Sequence, residues 1–208
     1  MKKLLALILS GIMLFALSGC GGTKDLQQEA AAPAETEAVA PEAEPQSTAG
    51  ASLVVYFSAT GTTEKLAETI ADMVGADLYE IVPEEPYTDE DLDYNDDNSR
   101  ANKEMNDEAA RPAIASETIE NIDDYDTIFI GYPIWWGTMP RIINTFVEIY
   151  DLSGKTIMPF CTSGGSGIAT SETDLRNACG NADVRVGLRG PAQNAQIEGW
   201  LESNNISY

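Results

Sequence analysis

The chain has 208 residues, with 12 basic and 34 acidic side chains, no histidine and a formal net charge of −22. Such acidity argues against nucleic acid as a partner, because its phosphates are bound by Lys and Arg. The lack of histidine removes the usual general base and the commonest metal ligand, so a Ser-His-Asp hydrolase is excluded and no metal site is predicted. Because the acidic surface also repels anionic lipid headgroups, a membrane attachment would have to be covalent.

The amino terminus has the pattern of an export signal. Two lysines precede an apolar run over residues 4–17, and Leu17-Ser18-Gly19-Cys20 follows it. The run is shorter than the roughly 20 residues that span a bilayer. Leu-Ser-Gly-Cys resembles the lipobox of bacterial lipoproteins, which implies a signal peptide over 1–19 and lipidation of Cys20. The alternatives are an ordinary signal peptide cut elsewhere or an uncleaved anchor.

The segment after the cysteine is predicted to be a tether. Residues 21–50 are rich in Ala, Glu, Pro, Gln, Ser, Thr and Gly and contain almost no large apolar side chain, so they cannot form a core. With Cys20 they make a disordered linker, residues 20–50, that spans roughly 30 Å as a flexible coil. We expect a protein anchored by lipid to the extracytoplasmic face of the cell membrane. The choice between inner and outer membrane stays open, as does the oligomeric state.

Residues 51–208 alternate between strand and helix patterns, which predicts one α/β domain with a parallel sheet covered on both faces. The run over 52–57 is continuously apolar, as in a strand buried on both sides. Further strands are predicted at 78–82, 127–131, 156–161 and 184–188, and apolar residues at helical spacing predict helices at 66–74, 140–150, 171–178 and 195–203.

Two features of the domain leave alternatives open. Residues 83–113 form a long polar, acidic connection, with a short helix predicted at 102–110. Cys161 ends an apolar strand, which favours a buried thiol, but an exported chain could pair it with Cys179.

The corner between the first strand and the first helix has the composition of an anion-binding loop. Free backbone amides and the positive end of a helix dipole meet at such corners. Hydroxyls can donate to phosphate oxygens, and glycine allows a close approach of the backbone. The loop has no Lys or Arg and matches neither nucleotide-binding glycine motif. We expect it to hold a phosphate monoester through Ser58, Ala59, Thr60, Gly61, Thr62 and Thr63. The alternative is a helix start rich in capping residues.

Ser58-x-Thr60-Gly61-x-Thr63 after a first strand resembles the phosphate loop of the flavodoxin family. The resemblance covers most of residues 52–202. It implies a flavodoxin-like doubly wound sandwich whose five-stranded parallel sheet has the order 2-1-3-4-5, with FMN at the carboxyl ends of the strands.

Two more loops support this resemblance. Tryptophans directly after the third strand are placed at the edge of the sheet, where an indole can border a flat ring. In the family this loop flanks the flavin. The resemblance therefore implies that the flavin ring is bordered by Pro133, Ile134, Trp135, Trp136, Gly137 and Thr138. We expect one of the two tryptophans to pack in the core. After the fourth strand, a loop rich in glycine and serine implies contacts to the polar edge of the ring from Ser163, Gly164, Gly165 and Gly167. The alternative is a flexible connector.

Family members also carry an acidic, Tyr-containing segment over the flavin. Here Tyr87, Tyr94 and Arg111-Pro112 lie in the corresponding connection, and a solvated loop is an equal alternative.

The first functional hypothesis is electron transfer by a bound FMN, with redox proteins or a quinone as partners. The second is an FMN-dependent enzyme of the NAD(P)H:quinone oxidoreductase type, although no nicotinamide fingerprint is present. The third is a module that has lost the flavin.

Overall fold

A computed structural model describes residues 50–208 of the chain. The predicted export signal, Cys20 and nearly all of the tether therefore lie outside the described residues. Within 50–208, no helix is both long enough and apolar enough to cross a membrane.

The domain is built on a parallel sheet in the order β2-β1-β3-β4-β5, which confirms the predicted order. Val54 lies beside Phe129, and Phe129 lies beside Met158, so the three central strands are in register across the sheet. The strands are β1 (Ala51–Tyr56), β2 (Asp77–Glu80), β3 (Tyr125–Pro133), β4 (Thr156–Thr162), β5 (Asp183–Val184) and β6 (Leu188–Gly190), which also pairs with β4.

The fifth strand differs from the prediction, because two short strands replace the single strand expected over 184–188. Arg185 still donates its amide to the carbonyl of Ile157 in β4 at 2.9 Å, but the backbone of residues 186–187 bonds to side chains instead. The indole of Trp200 donates to the carbonyl of Val186 at 2.7 Å, and the amide of Gly187 donates to the carboxylate of Glu172 at 2.6 Å. These bonds take residues 186–187 out of the ladder.

Helices cover both faces of the sheet, as in a doubly wound fold. Successive strand residues point to opposite faces, so Val54 packs with α1 and α5, while Val55 packs with α2, α3 and α4. This explains why the central strands β1, β3 and β4 are apolar at most positions. The helices are α1 (Thr62–Val74), α2 (Arg100–Asn106), α3 (Arg141–Ile149), α4 (Ala169–Ala178) and α5 (Asn194–Ser203), with a 3-10 turn at Ile122–Asp124.

The helix expected in the long connection is present but begins two residues earlier and ends four residues earlier than predicted. Ser99 caps its first turn, where the serine hydroxyl accepts the amide of Asn102 at 3.4 Å. Arg100 and Glu104, one turn apart, form an ion pair at 2.7 Å.

Gly131 in β3 lies beside Phe160 in β4 at the centre of the sheet. A Cβ atom at Gly131 would lie 2.1 Å from the phenyl ring. We therefore expect Gly131→Ala to lower the free energy of unfolding by about 1–3 kcal/mol, the usual effect of forcing an extra group into a packed core. Urea unfolding measures this loss, and Gly164→Ala, in open space in an exposed loop, is the control. Equal stability of the two variants would contradict the packing.

Cys161 and Cys179 are both free, buried thiols, and burial raises the pKa of each to about 12. Their ordinary pKa is near 9, so the folded state suppresses thiolate formation at pH 8. In a Cys20→Ser variant, we expect no reaction with Ellman's reagent under native conditions and two reactive thiols in urea. As pH rises from about 9 towards 12, the unfolded chain loses these protons first, so stability should fall. Rapid labelling of the folded protein at pH 8 would show that the thiols are accessible.

Candidate functional site

The loop after β1 has the features of an anion site. Gly61 is in the left-handed region with φ of 75°, and it precedes α1 without a side-chain cap on the helix. Within residues 50–208, the amides of Ala59, Thr60 and Gly61 donate no hydrogen bond to the protein. These donors lie at the positive end of the α1 dipole.

The hydroxyls of this loop fall into two groups. The Ser58 Oγ is buried and has no hydrogen-bond partner in the described part of the chain. Thr60 and Thr62 are exposed, with their hydroxyl oxygens 3.3 Å apart. The Thr63 hydroxyl, by contrast, is buried and bonded to that of Thr162 at 2.8 Å. Three hydroxyls are thus available to an anion, whereas the hydroxyl of Thr63 links the loop to β4.

The loop after β3 is a tight two-residue hairpin. The amide of Trp135 donates to the carbonyl of Thr138 at 2.9 Å, and the reverse bond is 3.0 Å. Trp136 and Gly137 have φ of 47° and 84°, the positive values of a type I′ turn. A bulky residue such as Trp is uncommon at positive φ. The turn directs the two tryptophans to different surroundings.

The two tryptophans differ in burial, and one of them packs in the core, as expected. Trp135 is 2% exposed and makes edge-on contacts with the rings of Phe57 and Tyr87, with centroids 5.6 and 5.1 Å apart. Trp136 is 39% exposed and packs on Tyr94 at 4.7 Å with an interplanar angle of 39°. Trp136 is therefore the indole that a ligand can contact over a wide surface.

A cavity of about 160 Å³ joins the anion loop to this hairpin. Residues from three segments line it, namely Ala59, Thr60, Thr63, Leu92, Tyr94, Pro133 and Trp135. Leu92 and Tyr94 come from the long connection, so this part of the connection borders the site. Leu92 was not predicted, and its only sequence signal is an apolar residue within an acidic run.

The other residues singled out in the connection lie elsewhere. Tyr87 is largely buried, donates its hydroxyl to Glu104 at 2.5 Å and packs under the Arg100 guanidinium at 4.1 Å. Burial and the adjacent carboxylate raise the pKa of Tyr87. Arg111 forms an exposed ion pair with Glu148 at 2.7 Å. Tyr87 thus packs against Trp135 at the edge of the core, and Arg111 does not border the anion loop.

Hydrogen bonds hold the segment that carries Tyr94. The Asp91 carboxylate accepts both the amide and the hydroxyl of Thr88 at 3.0 Å, and these bonds lower the pKa of Asp91. The buried side chain of Asn102 donates to the carbonyl of Asp96 at 2.7 Å. The segment is therefore built around turns at its acidic residues.

The loop after β4 is open. An added Cβ atom at Gly164, Gly165 or Gly167 would meet nothing within 4 Å. The amide of Gly165 donates to the Ser163 hydroxyl at 3.1 Å. The exposed glycines leave the backbone accessible to a ligand, as the sequence predicts.

The three loops meet at Thr162, the last residue of β4. Its hydroxyl bonds to Thr63 of the first loop, and its carbonyl accepts the amide of Ile134 of the hairpin at 2.9 Å. Thr162 was not among the predicted site residues, although the predicted strand order places it at this edge. Its contacts bring the first loop and the hairpin to the residue at which the loop after β4 begins.

Acidic groups surround the base of the site. Burial and the nearby Glu64 carboxylate raise the pKa of Glu80, and burial together with Glu80 raises the pKa of Tyr56 to about 12. An anion at the loop would therefore meet neutral donors in a negative field, rather than a cation.

A doubly wound sheet in the order 2-1-3-4-5, with an anion loop after its first strand, defines a flavodoxin-like protein. The family model described as Flavodoxin matches residues 51–204, and the chain belongs to this family.

Solved structures agree with this assignment. A protein from Bacteroides eggerthii, provisionally described as a flavoprotein, is 48% identical with a TM-score of 0.73, over 76% of this chain and 99% of its own. A similar protein from Bacteroides uniformis is 44% identical with a TM-score of 0.70, over 74% and 98%. A flavoprotein from Lactobacillus acidophilus, solved in complex with FMN, shares the fold at 24% identity and a TM-score of 0.61, over 73% and 99%.

Curated relatives match over shorter stretches. FMN-dependent NADH:quinone oxidoreductase 4 from Bacillus cereus is 28% identical over 43% of this chain and 41% of its own length. A protein named NAD(P)H dehydrogenase (quinone), from Archaeoglobus fulgidus, is 29% identical over 59% and 61%. The chain thus spans less than two thirds of either relative.

Proposed function

We propose that the domain binds FMN non-covalently and transfers electrons. The observation that carries the proposal is the buried Ser58 hydroxyl, which has no partner in the described residues and lies beside free amides at the start of α1. A buried unpaired hydroxyl costs free energy, and a phosphate oxygen would satisfy it. The FMN-bound Lactobacillus acidophilus protein supports the proposal through its shared fold.

The first loop suits the phosphate of FMN, and the other two loops suit its ring. The phosphate would be held by the hydroxyls of Ser58, Thr60 and Thr62 together with the loop amides. The flat ring would lie between the hairpin over 133–138 and the loop over 163–167, with Trp136 and Tyr94 as its aromatic neighbours. These groups are all neutral, which suits a phosphate bound in an acidic protein.

When bound, FMN supplies the redox chemistry, and the protein sets its potential and access. Carboxylates near the loop, including Glu64 and Glu80, and the net charge of −22 disfavour the gain of negative charge by a bound group. We therefore expect a low reduction potential, as in a carrier that passes electrons to other redox proteins or to a quinone.

An absorption spectrum of the purified protein tests FMN binding directly. We expect a yellow protein that releases FMN on denaturation, or a colourless protein that takes up added FMN. A colourless protein that takes up none would overturn the proposal and leave a module without flavin.

A second candidate is an FMN-dependent NAD(P)H:quinone oxidoreductase, favoured by the names of the two curated relatives. Steady oxidation of NADH or NADPH by the FMN-loaded protein in the presence of a quinone would support this enzyme. A protein that is reduced chemically but does not turn over NAD(P)H would support the carrier.

We propose, further, that Cys20 carries a lipid that anchors the domain at the extracytoplasmic face of the membrane. The support is the apolar run over 4–17 followed by Leu-Ser-Gly-Cys. In cells that process lipoproteins, the wild-type chain should sediment with membranes and a Cys20→Ser variant should not. A wild-type chain that keeps residues 1–19, by mass spectrometry, would contradict this.

A further inference from the structure

The hairpin over 135–138 has a second cleft beside it. This cleft has a volume of about 600 Å³ and shares no lining residue with the cavity next to Thr60. Residues from α2 and the segment after it, from α3 and from α4 form its walls, namely Met105, Glu108, Arg141, Asn144, Asp174 and Asn177. Trp136 contributes its indole to this cleft.

Two polar atoms of α3 residues in this cleft are buried without partners. The Arg141 Nε and the Asn144 Oδ1 have no hydrogen bond to any residue of 50–208. The two residues are three positions apart, so their side chains are neighbours on one face of α3. Buried polar atoms are almost always paired, because each unpaired one costs free energy.

The position of Arg141 adds to this cost. It is the first residue of α3, where the helix dipole is positive and a cation is unfavourable. The three ion pairs of the described residues do not include it, and its guanidinium donates only to the carbonyl of Met105, at 3.2 Å. By contrast, Arg111 at the rim is fully engaged by Glu148 and by two carbonyls.

The remaining groups of the cleft are already paired or acidic. Thr138 donates its hydroxyl to Asp174, so this pair links the hairpin to α4 at one end of the cleft. Glu108, Glu148 and Asp174 outnumber the two arginines, which disfavours an anionic ligand. Met105, Ala178 and Trp136 supply apolar surface that a flat ring can cover.

We propose that this cleft binds an aromatic carboxamide. The carbonyl oxygen of the amide accepts from Arg141 Nε, its NH₂ donates to Asn144 Oδ1, and the ring packs on Trp136. A neutral amide has an adjacent acceptor and donor, which complements the two unpaired atoms. A carboxylate lacks the donor and meets the acidic wall. The cleft shares the hairpin residues Trp136 and Thr138 with the proposed FMN site, but Arg141 and Asn144 lie outside that site, so this proposal does not rest on FMN binding.

Ligand-observed NMR titration of the purified full-length protein tests the proposal, with nicotinamide as the carboxamide probe and nicotinate as its carboxylate counterpart. We expect nicotinamide to bind at least tenfold more tightly than nicotinate. Asn144→Leu and Arg141→Met should each weaken nicotinamide binding about tenfold, the effect of losing one partner of a buried hydrogen bond.

Asn177→Leu is the matched control, because Asn177 lines the same cleft with an exposed side chain and no buried unpaired atom. Its nicotinamide affinity should equal that of the wild type. Circular dichroism melting confirms that each variant is folded, and the Arg141 and Asn144 variants report independently of one another. Absence of nicotinamide binding, tighter binding of nicotinate, or unchanged affinity in both α3 variants would overturn the proposal.

Discussion

Replacing Thr60 and Thr62 together by alanine is expected to lower the affinity for FMN about a hundredfold, since each hydroxyl bonded to a charged oxygen contributes about 1.5–3 kcal/mol and 1.4 kcal/mol is a factor of ten. Both threonines are exposed, and within residues 50–208 their side chains bond only to each other, at 3.3 Å. The double variant should therefore keep the stability of the wild type. Quenching of FMN fluorescence on titration with apoprotein measures the affinity.

Thr69→Ala is the control for this experiment. Thr69 lies on the same helix, α1, and its hydroxyl donates to the carbonyl of Lys65 at 2.8 Å. It should bind FMN as the wild type does. If the double variant also binds FMN with unchanged affinity, the phosphate does not lie at this loop.

Trp135→Ala is expected to lower mainly the stability of the domain, whereas Trp136→Ala is expected to lower mainly its affinity for FMN. Trp135 is buried between Phe57 and Tyr87, so its loss should lower the free energy of unfolding by about 3–5 kcal/mol. Trp136 is partly exposed at the surface of the site, so its loss should change stability by less than about 1 kcal/mol. Removing its ring should reduce FMN affinity about tenfold, the upper range of an aromatic contact.

Urea unfolding of the apoproteins and FMN titration separate the two effects. The assignment fails if Trp136→Ala destabilises the apoprotein as much as Trp135→Ala does. It fails equally if Trp136→Ala leaves both the affinity for FMN and the reduction potential unchanged.

The main features of the fold could be predicted because they depend on periodicity. A continuously apolar run marked β1 as buried on both faces, the alternation of strand and helix patterns marked β3 and β4, and helical spacing marked α1 and α3. The order of the strands came from the resemblance to flavodoxins. The break in the fifth strand could not be predicted, because it depends on Trp200 and Glu172 bonding to the backbone across a long sequence distance.

The site was predictable only as a set of loops. Sequence could not distinguish Trp135 from Trp136, since the difference arises from the positive φ of the hairpin turn. Nor could it show that the Thr63 hydroxyl is directed to Thr162, 99 positions away. Tyr94 was ambiguous because the turns that place it beside Trp136 depend on Asn102, a buried polar side chain in a helix.

The short strand β2 forms one edge of the described sheet, and its charges affect whether two copies of the domain can pair edge to edge. It has four residues, begins with Asp77, ends with Glu80, and exposes Leu78 between them to 44%. An open edge can pair with the same edge of another molecule, and charge on a short strand counters this. Two copies side by side would bring their carboxylates together, so repulsion at this edge should keep the domains separate at high local density.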